Sequence, residues 1–173
     1  MKSVAIKNKL TIRTACQKDK AKIAQVVCQA FAEYRQGKNT SHLKEDLVDI
    51  AGDIEKNEVL VLEVREKIIG SLRLQALENN IYYLKRFAIH PQHQGQGLGL
   101  TLFEAAEKFV KNNNGRKIHL HSSTEDDRLI RFYKKLGFRC KKIETNVGYA
   151  RGLWIKELKS MEQDIYGFKR INN

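Results

Sequence analysis

The sequence predicts a single α/β domain, and three observations carry that expectation. Strand-like runs rich in β-branched and aromatic residues alternate with runs of helical periodicity along 173 residues. Between Ile81 and Ser122 a strand-like run, a glycine-rich loop, a helix-like run and a second strand follow one another directly. That order predicts two parallel strands joined by a right-handed crossover. Nothing in the chain reads as a linker, an internal repeat or a low-complexity tract, and this length suits one core.

Each element has its own signal. LTIRTA (Leu10 to Ala15) reads as a first strand. DKAKIAQVVCQAFAEY places Ile23, Val26, Val27, Ala30 and Phe31 on one helical face, with Asp19 as its cap. SHLKEDLVDIAGDIEK repeats the pattern through Leu43, Leu47, Ile50 and Ile54, with Ser41 able to cap it and Gly52 inside it. EVLVLEVREKIIGSLRLQAL is two β-rich runs around the polar REK, which predicts a hairpin. ENN makes another turn before IYYLKRFAIH, so three consecutive antiparallel strands are expected. After the glycines, Leu98, Leu102, Ala105, Ala106 and Phe109 form a helix face that ends at NNNG. KIHLHS is a short strand, and EDDRLIRFYKKLG is a helix stopped by Gly137. FRCKKI and ARGLWIKEL complete the set as strands, giving the order β-α-α-β-β-β-α-β-α-β-β.

Composition narrows the class. Apolar residues make up 42% and charged residues 30% of the chain, as in a soluble globular protein. No run approaches the ~18 apolar residues of a membrane span, and the N-terminal MKSVAIKNKLTIR has no long apolar stretch, so a cytoplasmic protein is expected. Cys16, Cys28 and Cys140 are far apart and odd in number, which argues against a disulfide framework and predicts reduced residues in or near the core. The net charge of +12 admits a polyanionic partner, but the lysines are scattered. The densest segment, Arg128 to Lys142, carries seven basic residues in fifteen. That density suits a phosphate-bearing ligand or a solvated helix face.

The chemistry concentrates at HPQHQGQGLGLTLF (His90 to Phe103), where Gly95, Gly97 and Gly99 alternate at a strand–helix junction. Glycine lets the backbone turn tightly and approach a ligand. The helix that follows offers unpaired N–H groups and the positive end of its dipole, which together suit phosphate. A nucleoside-triphosphate cradle is excluded, because Leu100 and Thr101 follow Gly99 where Lys and Ser or Thr are required. The dinucleotide fingerprint fails too: Leu100 stands at the third glycine, and NNNGRK lacks the acidic ribose partner.

The flanks are more specific. Gln94 to Gly99, Q-G-Q-G-L-G, resembles the [Q/R]-x-x-G-x-[G/A] loop of the GNAT family of N-acetyltransferases. LKRFAIHP before it is similar to that family's fourth strand. Phe132-Tyr133-Lys134-Lys135-Leu136-Gly137-Phe138 resembles the end of its second conserved segment. With the element order, the likeness runs from Leu10 to about Leu158. It implies one domain over residues 10–158 with extensions 1–9 and 159–173, and a mixed sheet of about seven strands flanked by four helices. The fourth and fifth strands would run parallel and splay apart.

The resemblance also implies a site. Acetyl-CoA would be the donor, its pyrophosphate bound by backbone amides of Gln94, Gly95, Gln96, Gly97, Leu98, Gly99 and Leu100. A bulged fourth strand at Phe87, Ala88 and Ile89 would pair with the pantetheine arm, and an amide of Phe87 or Ile89 would polarise the thioester carbonyl. Phe132 would line the same site. Tyr133 stands at the family's general acid; on spacing alone it is equally an aromatic filling space beside Phe132. Lys135 could meet the 3′-phosphate. Asp126 replaces the usual Asn; it can cap the helix but cannot donate a side-chain N–H. Lys85 and Arg86 stand where many members carry a general-base Glu. A branch acting on protein N-termini keeps a carboxylate twelve residues before the tyrosine, and His121 is the residue there. An imidazole with a pKa near ~6.5 can take the amine's proton; a half-buried strand histidine beside His119 is the alternative, as is a water chain to Glu63. His119 and His121 share a strand face as metal pairs can, but no third ligand follows and the family needs none.

For the acceptor, the resemblance points to the connection EYRQGKNTS, with Glu33 and Tyr34 as candidates and a solvated loop as the alternative, and to Tyr149 and Trp154 in the last strands, which either line the pocket or simply pack. The expected acceptor is a small-molecule amine or a peptide N-terminus, and the expected form a monomer or homodimer without membrane association. Two other functions stay open. One is a catalytically silent acyl-CoA-binding module on the same fold. The other is a basic nucleic-acid-binding protein, which no motif supports.

Overall fold

The computed structural model describes residues 10–32, 47–56, 58–145 and 149–159. In chain order the elements are Leu10–Thr14 (β1), Lys20–Ala30 (α1), Leu47–Glu55 (α2), Val59–Val64 (β2), Lys67–Ala76 (β3), Ile81–Ile89 (β4), Leu98–Asn112 (α3), Lys117–Ser123 (β5), Asp127–Lys135 (α4), Arg139–Glu144 (β6) and Arg151–Glu157 (β7). Element types and order are those expected from the sequence. The strands form one sheet in the order β1-β2-β3-β4-β5-β7-β6. Every neighbouring pair is antiparallel except β4 and β5, which run parallel. Leu43, Ser41, Glu33, Tyr34 and the terminal segments other than Lys159 lie outside the described residues.

Both expected turns form, for different local reasons. Asn79 and Asn80, with φ of 60° and 58°, take the left-handed region that asparagine tolerates, and close β3 onto β4. Arg65 and Glu66 take the same region at 51° and 63° between β2 and β3. Neither residue favours it, so this hairpin rests on the strands that flank it.

Two apolar clusters cover the two faces of the sheet. Leu102, Phe103, Ala106 and Val110 of α3, with Tyr133 and Leu136 of α4, pack on Leu72, Leu74, Leu84, Ile118, Leu120 and Trp154. Ile23, Val26 and Val27 of α1, with Ile50 and Ile54 of α2, pack on Val59, Val61, Ile68 and Ala88. Phe103 and Val110 join the buried face of α3, whereas Ala105 and Phe109 are half-buried, because the face is centred one position further round than the spacing indicated.

Two expectations fail. Cys16, Cys28 and Cys140 form no disulfide but are exposed, so none belongs to the core. Asp19 stands at the N-cap of α1 without capping it through its side chain. Its carboxylate instead accepts from Arg13 at 2.7 Å and from the Cys16 amide at 2.8 Å. The Arg13 hydrogen bond is the main reason its pKa falls from 3.8 to about 2.

Candidate active site

The parallel pairing of β4 with β5 is short. It joins Ile81 to Lys117, Tyr82 to Ile118 and Tyr83 to His119, and goes no further. Beyond Tyr83, β4 keeps β3 on one side, and beyond His119, β5 keeps β7. The strands therefore part as a fork with backbone edges facing each other. One extra residue on β4 shifts its register against β3 between Ser71 and Arg73. Arg86 sits at that bulge with φ of 53°, so the bend falls just before Phe87, Ala88 and Ile89.

The glycine loop continues from the end of β4. Pro91–His93 form one 3-10 turn, capped by His90, whose Nδ1 accepts from the Gln92 amide at 3.3 Å. Gln94 donates its side-chain amide to the Ile89 carbonyl at 2.9 Å, which ties the loop to the strand. The three glycines then do two different jobs. Gly95 and Gly97 have φ of 74° and 79°, and a Cβ there would meet nothing within 4 Å. Gly99 is helical, and a Cβ would lie 3.3 Å from the Phe132 ring. The first two shape an exposed loop; the third lets α4 approach α3. Gly97 is the N-cap of α3 and has no side-chain oxygen to engage the first-turn amides, so Leu98, Gly99 and Leu100 present them outward. An exposed backbone cradle at the positive end of a 15-residue helix fits a pyrophosphate.

The F-Y-K-K-L-G-F run owes its form to how α4 stops. Gly137 takes φ of 88°, its amide donates to the Lys134 carbonyl, and the Phe138 amide donates to the Tyr133 carbonyl, both at 3.0 Å. These are the paired bonds of a Schellman ending. The ending brings Phe138 back onto Tyr133, with ring centroids 5.8 Å apart. Phe132, at 5.4 Å, and Trp154, at 6.3 Å, complete the setting of a buried Tyr133. Phe132 also lies 5.7 Å from Phe87, which joins α4 to the bulged strand. Trp154 therefore packs in this cluster. Asp126 caps α4, accepting from the amides of Arg128 at 2.8 Å and Leu129 at 3.4 Å. Lys135 is exposed in the last turn.

His121 alternates with Leu120 and Ser122, so it faces away from the Tyr133 cluster. Its Nδ1 lies 2.8 Å from the Tyr83 hydroxyl, and its Nε2 lies 3.5 Å from Glu144, which also holds Arg151 at 3.2 Å. Burial, then the Arg151 charge, hold the imidazole below its ordinary pKa, against the opposing pull of Glu144. Burial raises the Tyr83 phenol, and Tyr149 adds to that, which places Tyr149 in the same neighbourhood. Glu63, by contrast, is held by Arg13 at the far end of the sheet and is not brought to the fork. His119 carries a buried Nε2 with no hydrogen-bond partner. Among the described residues no group of three or more His, Cys, Asp and Glu side chains is placed to hold a metal ion.

On that same face, beside α2, lies a cleft of about 540 Å³ lined by Asp49, Gly52, Asp53, Arg73, Lys85 and Arg86, among others. Asp53 binds Arg73 at 3.0 Å and Lys85 at 3.3 Å. Sequence reasoning noticed Lys85 and Arg86 only as a missing carboxylate and did not bring them to Asp53. Glu144, Arg151 and Tyr83 were also missed as neighbours of His121, because no local pattern links four different strands.

A forked mixed sheet with an amide cradle beside its fork defines an acyl-transferase class of fold, and comparison with known proteins agrees. Residues 24–138 match the model of the Acetyltransferase (GNAT) family, and the chain belongs to that family. A Bacillus subtilis (strain 168) protein named uncharacterized N-acetyltransferase YesJ is 29% identical over 108 residues, covering 54% of this chain and 59% of that protein. The chain thus matches little more than half the length of that relative. Among solved structures, the PaiA N-acetyltransferase of Thermoplasma acidophilum, in complex with coenzyme A, superposes with a TM-score of 0.77 at 18% identity, over 87% of this chain and 99% of that one. YncA of Salmonella typhimurium, solved with acetyl-CoA, gives 0.73 at 19% identity, over 88% and 95%. No described helix is long and apolar enough to cross a membrane.

Proposed function

We propose that the chain transfers an acetyl group from acetyl-CoA to a primary amine, by direct attack in a ternary complex. The observation that carries this is the fork, with the amide cradle and Tyr133 on one side and His121 on the other. Amides from Gln94 to Leu100 hold the pyrophosphate, and the free edge of β4 at Phe87, Ala88 and Ile89 pairs with the amide-bearing arm. The bound thioester supplies an activated acetyl carbonyl. A β4 amide, from Phe87 or Ile89, stabilises the negative charge that grows on its oxygen.

His121 accepts the ammonium proton, directly or through water, so that the neutral nitrogen can attack. Tyr83 and Glu144 orient the ring, and Glu144 offsets the imidazolium charge that forms. As the new C–N bond forms and the C–S bond breaks, Tyr133 gives its proton to the departing sulfur, and the newly bonded nitrogen gives up its second proton to solvent to become the neutral amide. The bulk solvent then reprotonates Tyr133 and takes the proton from His121. The acceptor enters from the face of α1 and α2, opposite the Tyr133 cluster.

The test is thiol release from acetyl-CoA across small amines and peptide N-termini. CoA should appear only when a suitable amine is added; none with a broad panel overturns the transfer. Tyr133→Phe should lower kcat about 100-fold and leave acetyl-CoA affinity unchanged; an unaltered kcat removes the acid role. Lys85 and Arg86, in place of a strand carboxylate, favour a second reading, a silent acyl-CoA-binding module. That reading predicts CoA binding without turnover in the same assay.

A further inference from the structure

Resting on that transfer, we infer that Tyr83 is a catalytic residue of it: its hydroxyl takes the amine's proton while passing its own to Nδ1 of His121. The imidazole leaves no other way in. Burial, then the Arg151 charge, keep its pKa low, so at neutral pH the ring is uncharged and carries a single N–H. Its Nε2 lies 3.5 Å from Glu144. Against burial, the Arg151 hydrogen bond and the neighbouring cations hold that carboxylate below its usual range. It is therefore charged at neutral pH, can only accept, and draws the ring's N–H to Nε2. Nδ1 is then the acceptor, and the Tyr83 hydroxyl, 2.8 Å away, donates to it. One nitrogen already holds a proton and the other is covered by Tyr83. An amine can hand its proton to this ring only through the hydroxyl.

Tyr83 also stands where the fork opens. It pairs with His119 at the last rung of β4 on β5, and His121 lies two residues further along β5, past the point where the strands part. The bond between Tyr83 and His121 thus spans the opening. Burial raises the Tyr83 phenol above its ordinary value, so the hydroxyl keeps its proton at neutral pH. Its oxygen has two acceptor sites. The His121 backbone amide draws on one, and the other is left for an ammonium. In the step, an N–H bond of the ammonium breaks as a bond to the Tyr83 oxygen forms. The original O–H bond breaks as Nδ1–H forms. Tyr83 is neutral before and after, and the charge comes to rest on the imidazolium, facing Glu144.

The experiment follows CoA release by the full chain at neutral pH with two amines of similar shape. Ethylamine is an ammonium ion there; 2,2,2-trifluoroethylamine has already lost that proton and needs no relay. Tyr83→Phe should lower kcat/KM about 100-fold for ethylamine, nearly spare trifluoroethylamine, and leave the acetyl-CoA KM unchanged. An ethylamine rate that ignores the substitution means that the proton reaches His121 without Tyr83, and overturns the inference while the transfer stands. Equal losses with both amines make Tyr83 a packing residue and overturn it as well. Nitrogen-15 NMR of the unsubstituted chain gives a reading that depends neither on the variant's folding nor on turnover. Neutral His121 should carry its proton on Nε2; a proton on Nδ1 overturns the relay, because Tyr83 would then accept. If other amines of the panel release CoA and these two do not, that tautomer decides, Nε2–H sustaining the relay. If no amine releases CoA, transfer and relay fall together.

Discussion

The two sides of the fork are built from different material. On the side of α3 and α4, the cradle is backbone, shaped by Gly95 and Gly97, and Tyr133 is set by ring packing and a Schellman ending. On the side of α1 and α2, the groups are charged side chains: Asp53 with Arg73 and Lys85, and His121 with Glu144 and Arg151. A site made of backbone needs particular residues in a short run, since only they give the chain that local shape. A site made of side chains needs only that the fold bring them together. The first is suited to a ligand part that is always the same, the second to one that differs with the substrate.

The comparison breaks down if the charged side contributes nothing to the fold. Arg73 is almost fully buried, and the Asp53 carboxylate nearly so. Asp53→Ala leaves a buried guanidinium without that carboxylate and should cost about 3–5 kcal/mol, read from urea unfolding. A loss below about 1 kcal/mol would mean that the pair is solvated and that its charges serve recognition only. Gly137→Ala probes the other side. It forces a Cβ into a left-handed position and should cost about 1–2 kcal/mol in the same assay. A neutral result there would show that ring packing alone stops α4 and sets Tyr133.

This contrast also accounts for what was readable. The element order, the glycine loop and the F-Y-K-K-L-G-F ending were legible because each depends on contacts within a few residues. Gln94 was legible as part of a pattern, but its bond to the Ile89 carbonyl was not. The separate job of Gly99 was hidden, because the reason for it, Phe132, lies on another helix. His121 of β5 meets three residues from β4, β6 and β7, and Asp53 reaches Lys85 from α2 across the face of the sheet. Strand order decides those meetings. The bulge at Arg86 likewise exists only in the register of β4 against β3.

The finest discrimination between the two sides is electrostatic and concerns His121. Its pKa is lowered by burial first and by the Arg151 charge second; Glu144 raises it, and His119 adds a small further lowering. Glu144 is itself held below its usual value: burial pushes it up, but the Arg151 hydrogen bond, His121 and Lys142 together outweigh that. A carboxylate held down in this way carries its charge at neutral pH, where it faces His121. The base must be neutral to work, so kcat/KM should fall on the acid side only below about pH 6.5. Glu144→Gln removes an attraction for the imidazolium and should move that limb further down. Arg151→Gln removes a repulsion and frees the Glu144 charge, and both changes should move it up. Opposite shifts from two neighbouring substitutions are what a base at His121 requires, and a general loss of packing would not produce them. A limb that ignores both places the base elsewhere and leaves the charged side of the fork with recognition alone.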